Sequence, residues 1–380
     1  MTLAELKEKN LYRQLRSGER HGAYIEMEGR KYLNFASNDY LGVSARLDWQ
    51  EEFLGEFLDF ARGQETFLMS AGGSRLLGGT APVFEAFERQ VGEAYGRACL
   101  FFNCGYHANT GVLPALFGKR DLVVADKLVH ASLLDAMRLS DAKWLRYAHN
   151  DLDHLRKILA RERANYDRVC IVTESIFSME GDHSDLRGLV EIKKEFDAML
   201  YVDEAHSAGV YGHDGLGLCH AKGVLDDVDI VLLTWGKGWG GEGACILCNE
   251  PTRELLINRC RPFIFTTAIA PINILWASFV FERRGVLESL RECLHRHTRT
   301  FRECLHKLRL LGDTHIVPVV VGENETALTL SERLLEMGIY APAVRHPTVP
   351  LHSARIRFSL SAALTEEEVG RVIEILNLLE

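Results

Sequence analysis

The chain has 380 residues, 47% of them hydrophobic, and a formal net charge of −9. That length suffices for a large core in two domains, and the acidic balance argues against nucleic acid or an anionic membrane surface as a partner, although a few placed cations are enough to bind an anionic small molecule. Nine scattered cysteines read as reduced and cytoplasmic, and the start MTLAELKEKN carries charges where an export signal needs an apolar core.

In chain order, residues 3–16 have the pattern of an amphipathic helix or arm, and residues 23–35 (AYIEMEGRKYLNF) that of a hairpin turning at Glu28-Gly29. ACLFFN then precedes the helical NTGVLPALF, and DLVVAD precedes ASLLDAMRL. RVCIVTES, VEIKKEF, MLYVDEAH and DIVLLT continue the alternation, and ACILC follows as a further strand. Unbroken apolar strands between helices predict a parallel sheet covered on both faces. Near Pro271 the alternation fades into helices up to about residue 311, followed by strands HIVPVVVG and ARIRFSLS and a last helix with Thr365 and Glu368 as its capping box. The charge-free stretch 262–281 is interrupted by Pro262, Thr266, Thr267, Pro271 and Asn273 and reads as buried core, not a membrane span. The expected organisation is an arm and hairpin over 1–40, a large α/β domain over 41–270 and a small α+β domain over 271–380.

Several motifs carry chemistry. In VLLTWGKGWGGEGAC, Lys237 sits among glycines. Gly236, Gly238 and Gly241 match G-x-G-x-x-G, but the strand-like ACILCNE follows where that fingerprint must open a helix; a phosphate loop needs Ser or Thr after its lysine, and Gly238 stands there. A Schiff-base lysine, with glycines giving a cofactor room, and a mobile surface loop both remain open. The DEAH of MLYVDEAHSAG resembles a helicase box, but no phosphate loop accompanies it. Asp203 reads instead as a carboxylate at the end of a buried strand, which needs a cationic partner such as a pyridinium nitrogen, with His206 close behind. In FFNCGYHANTG a strand gives way to a helix at Gly105-Tyr106, which is either a phosphate-binding helix start or an ordinary turn. In ADKLVHASLLDA, His130 or Ser132 caps a helix, and His130 is either structural or stacked on a planar cofactor. Polar residues thus collect at strand C-termini, where open α/β sheets bind ligands. Two cysteine patterns read as ordinary structure. Cys245 and Cys248 read as strand filling; the repeated RECLH, with Cys293, His295, Cys304 and His306, reads as an amphipathic helix rather than a metal site.

A phosphate turn, a stacking histidine, a strand-end aspartate and a lysine after the next strand are, in that order, what pyridoxal 5′-phosphate (PLP) requires. TWGKGWGGEG resembles the PLP-attachment motif of the class-II aminotransferase group. Together with NFASNDYLG, SAGGSRLLGGT, VHASLLDA, TESIFSMEGD, DEAHSAGVYG and PTVPLHSARIRFSL, it makes the chain similar to the α-oxoamine synthases from about residue 11 to 375. The resemblance implies a PLP-dependent transferase of fold type I. SNDYLG, YAHNDLDHL and PTVP followed by ARIR favour the branch that condenses L-alanine with a pimeloyl thioester, carried by coenzyme A or an acyl carrier protein. Siblings using glycine, such as glycine C-acetyltransferase and 5-aminolevulinate synthase, are the alternative, and a non-catalytic scaffold is a remote one. By resemblance, Lys237 holds PLP and later moves protons, Asp203 pairs with the ring nitrogen, His206 contacts the ring hydroxyl and His130 stacks on the ring. Ser178 touches the cofactor; the Gly105 and Tyr106 N–H groups and the Thr234 hydroxyl take the phosphate. Thr267 reaches the phosphate of the neighbouring subunit in a homodimer. Arg13, Asn38, His130, Ser353 and Arg357 line up with substrate positions, with Arg357 or Arg355 holding the amino-acid carboxylate. Trp235, Trp239 and Glu242 depart from the pattern and are expected to narrow the pocket.

Overall fold

The structure, a computed structural model, describes residues 2–65, 67, 69–305 and 307–378. The chain forms two compact units: Met1–Arg46, Ser178–His183 and Glu288–Glu380 make the first, and Leu47–Phe177 with Ser184–Leu287 the second. This division differs from the three consecutive segments expected from the sequence. The N-terminal arm and hairpin join the C-terminal residues because Arg30–Asn34 pairs in parallel with Ile339–Tyr340. The helix Pro271–Glu282 falls in the second unit, packed on Pro82–Tyr95 and Leu47–Arg62.

In the first unit, β1 (Glu19–His21), β2 (Tyr24–Met27) and β3 (Arg30–Asn34) form an antiparallel meander. The expected hairpin turn is present: Glu28 and Gly29 both take positive φ, 51° and 74°, the requirement of a two-residue loop that matches the strand twist. The N-terminal helix covers only Leu3–Glu8. It buries no residue, and Asn10 turns left-handed at φ 54°, so no packing extends a short helix that is marginal by itself.

The second unit holds β4 (Ala98–Phe102), β5 (Asp121–Asp126), β6 (Lys143–Tyr147), β7 (Arg168–Glu174), β8 (Met199–Asp203), β9 (Ile230–Thr234) and β10 (Ala244–Cys248). Their order is β4-β10-β9-β8-β7-β5-β6; β10 runs antiparallel to both neighbours and every other pairing is parallel. The strands read as apolar runs because helices cover both faces. On one face, Leu113 and Leu133 of the helices Gly105–Leu116 and Ala131–Leu139 pack with Val123, Val172 and Leu232, each wholly buried. Such a side chain contributes about 1.5–3 kcal/mol when fully buried. The edge strand β6 (KWLRY) escapes the apolar-run criterion because most of it is exposed and two of its five residues are charged, a common protection for an edge.

The first unit is completed by β11 (Ile316–Gly322), β12 (Ile339–Tyr340), β13 (Ala343–Val344) and β14 (Ala354–Ser359); β12 extends the meander, and β11-β14-β13 form an antiparallel sheet. The helix Glu288–Cys304 buries Leu294 and Phe301, as the RECLH spacing predicts, although His306 lies outside the described residues. The final helix, Glu366–Leu378, begins with the reciprocal Thr365–Glu368 capping box. The charge-free stretch 262–281 becomes two helices, Arg261–Phe265 and Pro271–Glu282; among the described residues no helix is long and apolar enough to cross a membrane.

Two buried acids anchor the second unit. Glu88 forms an ion pair with Arg75, accepts from Phe101 N–H at 2.7 Å and meets Arg253 at 3.4 Å, which ties the glycine-rich segment 70–80 to β4. Glu204, directly after β8, accepts from Cys219 N–H at 2.8 Å and Ser207 Oγ at 3.0 Å; a Cβ on Gly217 would lie 2.1 Å from its carboxylate. Burial pushes the Glu204 carboxyl up from 4.5 to about 7.

Glu88→Ala leaves a buried guanidinium without its partner and is expected to cost about 3–5 kcal/mol in urea unfolding, a loss that an apolar pair replacing both Arg75 and Glu88 largely recovers. For Glu204 the raised folded value means that, between pH 4.5 and 7, the unfolded chain gives up a proton that the folded chain keeps. Its contribution is therefore full below pH 4.5 and lost as pH rises through about 7. Glu204→Gln should gain roughly 3 kcal/mol relative to the parent across that window, read from unfolding curves at several pH values.

Candidate active site

Asp203 ends β8 and is 5% exposed. One carboxylate oxygen accepts from Ala205 N–H at 2.9 Å, the other from the Asn109 amide at 2.8 Å. The turn that follows carries His206, whose Nε2 lies 2.9 Å from the Lys237 amine. Lys237 stands in the connection between β9 and its antiparallel neighbour β10, closed by Trp235 N–H to Gly243 O at 2.9 Å and Gly241 N–H to Trp235 O at 2.7 Å. The loop is anchored in the core. Trp235 and Trp239 are wholly buried and pack with Phe87 and Phe281, and the Trp235 indole donates to Cys245 Sγ at 3.1 Å. Their bulk enters an aromatic core instead of narrowing a pocket. Glu242 accepts from the Asn273 amide at 2.8 Å. The glycines also act differently from the sequence expectation: a Cβ on Gly238 would lie 2.7 Å from Ala208 O, so this glycine lets the lysine loop press against the turn that carries His206. At Gly236 a Cβ would meet only Gly241 O, at an ordinary contact distance of 3.7 Å.

The helix Gly105–Leu116 begins where FFNCGYHANTG predicts. Cys104 caps it weakly, accepting from His107 N–H at 3.5 Å. The geometry of a helix start frees the N–H groups of Gly105 and Tyr106 for an anion. A Cβ on Gly105 would lie 2.9 Å from Thr234 Cγ2, so the helix start and the end of β9 are adjacent. The Thr234 hydroxyl donates to Ala205 O at 3.2 Å, and the exposed Tyr106 ring donates its hydroxyl to Asp135. Asn103 holds the loop of Thr267, donating to Thr267 O at 2.6 Å and accepting from Ile269 N–H at 3.2 Å.

His130, not Ser132, caps the helix Ala131–Leu139, and its Nδ1 lies 2.7 Å from Ser132 Oγ. Its backbone N–H donates to Glu174, the residue registered against Asp203 across β7 and β8. Asp126, wholly buried, stabilises the preceding turn through Leu128 N–H at 2.8 Å and lies 2.9 Å from His149 Nδ1. Burial pushes the His130 pKa below the ordinary imidazole value; the Lys237 charge adds to this, while Asp203 and Asp135 oppose it. The second unit thus brings together His130, Asp203, His206 and Lys237, beside Gly105 and Thr234. Asn109, Glu174 and Asp126 were not singled out from the sequence, and Ser132 only as a possible cap: a buried polar residue on a helix face or at a strand end shows its role only through partners that lie far away in the chain.

The remaining expected residues lie in the first unit. Arg357, 8% exposed on β14, reaches neutral acceptors: Ser178 O at 2.6 Å, Asn38 Oδ1 at 3.2 Å, the Tyr40 oxygen at 3.4 Å and Ser359 Oγ. Arg355 is paired with Glu180 at 3.1 Å and donates to Met179 O and Ser353 O. Arg13 donates to Thr348 Oγ1 at 2.8 Å, and Ser353 N–H to Pro350 O at 3.2 Å.

The second unit fits PLP. A buried carboxylate held by two neutral donors suits a cationic ring N–H, Lys237 supplies a primary amine, and the Gly105 turn supplies N–H groups to an anion. The family model for class I and II aminotransferases matches residues 30–376. The 8-amino-7-oxononanoate synthase of Haemophilus ducreyi is 44% identical over 383 residues, 98% of each chain; that of Chlorobaculum parvum is 44% identical over 368 residues, 96% of this chain and 94% of the relative. A serine palmitoyltransferase from S. paucimobilis, solved with a bound PLP–myriocin aldimine, aligns with TM-score 0.90 at 26% identity over 99% of this chain and 94% of that one. The crystal structure of 8-amino-7-oxononanoate synthase from Francisella tularensis aligns with TM-score 0.77 at 28% identity, covering 92% and 97% of the two chains. Sequence, fold and donor set agree, and the chain belongs to the class I and II aminotransferase family with pyridoxal 5′-phosphate as its cofactor.

Proposed function

We propose that this protein condenses L-alanine with a pimeloyl thioester, releasing carbon dioxide and the free thiol and forming 8-amino-7-oxononanoate for biotin biosynthesis. The single observation that carries this reading is the near full-length identity of 44% to relatives bearing that name, combined with a site whose charged groups match the chemistry.

Lys237, Asp203, His206 and His130 hold the cofactor, with Gly105, Tyr106 and Thr234 at its phosphate and Ser178 as a further contact. PLP, when bound, supplies an electron sink for the charge that develops at the amino-acid α-carbon. The Asp203 carboxylate keeps a proton on the ring nitrogen, because a buried carboxylate favours a cationic partner. Lys237 Nζ removes the α-proton and returns one to the product, and His206, 2.9 Å away, steadies that amine. In the net reaction the alanine α-carbon bonds to the thioester carbonyl carbon, the C–S bond breaks, and the alanine carboxylate leaves as carbon dioxide.

Arg357 is the carboxylate-binding arginine in this reading. It is nearly buried with neutral partners, so an arriving carboxylate supplies the counter-charge, whereas the Arg355 charge is already matched by Glu180. Asn38, which accepts from Arg357, orients it; Arg13 and Ser353 complete the substrate contacts. The protein works as a cytoplasmic homodimer, with Thr267 reaching the partner's phosphate. Support comes from the exposed position of Thr267 and from Leu54, Leu58, Met69, Leu76 and Leu77, a set of exposed large apolar side chains on one stretch of the chain. Either coenzyme A or an acyl carrier protein delivers the acyl group.

The direct test is turnover of purified protein with alanine or glycine against several acyl thioesters. Alanine with a pimeloyl thioester should be preferred, and preference for glycine would make the protein a sibling synthase. Lys237→Ala should abolish turnover with the fold intact, and mass spectrometry after borohydride reduction should find PLP attached at residue 237 in the parent and nowhere in the variant. Arg357→Met should raise KM for alanine about 10- to 100-fold, the loss expected for charge-assisted hydrogen bonds, while Arg355→Met should act mainly on stability.

A further inference from the structure

Resting on the proposed reaction, the structure assigns Asn109 as a positioning residue that links the Asp203 carboxylate to the tautomer of His130 through Ser132. Asn109 lies on the helix Gly105–Leu116 and is 1% exposed. Its two amide hydrogens go to Asp203 Oδ2 at 2.8 Å and Ser132 Oγ at 2.9 Å, and its carbonyl accepts from the Tyr201 hydroxyl at 2.5 Å. The pattern admits one orientation of the amide. Burial, reinforced by the Asp203 charge, pushes the Tyr201 pKa well up, so that hydroxyl keeps its proton and donates it. The amide carbonyl must therefore face Tyr201, and the NH₂ group must face the carboxylate and the serine.

Ser132 Oγ, wholly buried, accepts from Asn109 and so has its own proton to give. The acceptor within reach is His130 Nδ1, at 2.7 Å. Ser132 N–H faces the same nitrogen at 3.3 Å. Two donors aimed at Nδ1 require it to be unprotonated, so the ring proton of neutral His130 sits on Nε2. The same amide thus orients the carboxylate that serves the ring nitrogen and makes His130 Nε2 a hydrogen-bond donor, not a base. The side chains form a chain of directed hydrogen bonds with a single proton arrangement: Tyr201 to Asn109, Asn109 to Asp203 and Ser132, Ser132 to His130.

The test is the ring ¹⁵N spectrum of the full-length protein labelled at histidine, with and without PLP, the His130 signals being identified by their loss in His130→Asn. Near neutral pH the parent should show His130 with a bare Nδ1 and a protonated Nε2. Ser132→Ala and Asn109→Ala should each convert this to a mixture of tautomers. Asn109→Ala should also lower kcat about 10-fold or more, as removal of an orienting partner does, with little change in KM for alanine. A parent His130 protonated on Nδ1, or a single Nε2–H tautomer that survives both substitutions, would overturn the assignment. Should Asn109→Ala fail to fold, the parent and Ser132→Ala spectra decide. An Nε2–H ring in a protein that does not use alanine would leave this inference standing and remove the proposed reaction; a wrong tautomer in an active enzyme would do the reverse.

Discussion

A carboxylate kept almost out of water at the end of a parallel strand is the constraint on which this molecule turns. Placing Asp203 at 5% exposure carries a desolvation cost of several kcal/mol, offset here by one backbone N–H and one amide. Both are fixed by the fold: Ala205 lies in the turn that leaves β8, and Asn109 sits one helical turn into the helix that follows β4. The arrangement works only because β8 is central in the sheet, with β7 and β9 on either side delivering Glu174 and Thr234 to the same end. Parallel strands make this automatic, since their C-terminal ends share one edge.

The lysine is presented by packing. A chain with five glycines around one cation is conformationally costly to order. Two buried tryptophans offset that cost by anchoring the loop in an aromatic core, and Gly238 lets the loop lie against the turn of His206 with less than a side chain between them. The base of the lysine is thus held by buried aromatic packing.

The two arginines of β14 illustrate how environment separates identical side chains. Both are nearly buried and both point to the same face of one strand, two residues apart. Glu180 neutralises Arg355, whereas Arg357 keeps neutral company. An anion is worth more to a guanidinium that lacks a carboxylate than to one that already has it.

Alternating apolar strands and helices, the Glu28-Gly29 turn, the Thr365–Glu368 capping box and the helix start at Gly105 were legible in the sequence because each rests on contacts a few residues apart. That His130, Asp203 and Lys237 stand at or just after the ends of strands was legible too. The N-terminal meander's pairing with Ile339–Tyr340, the edge strand β6, the destination of Trp235 and Trp239, and the different partners of Arg355 and Arg357 were not. Asn109 belongs with them: its three partners, at positions 132, 201 and 203, lie on other elements. Local periodicity and turn chemistry therefore determined the elements and the kinds of reactive groups, whereas the tertiary structure decided which polar atoms face one another, because hydrogen bonds and charge pairing depend on distances that residues far apart in the chain acquire only on folding.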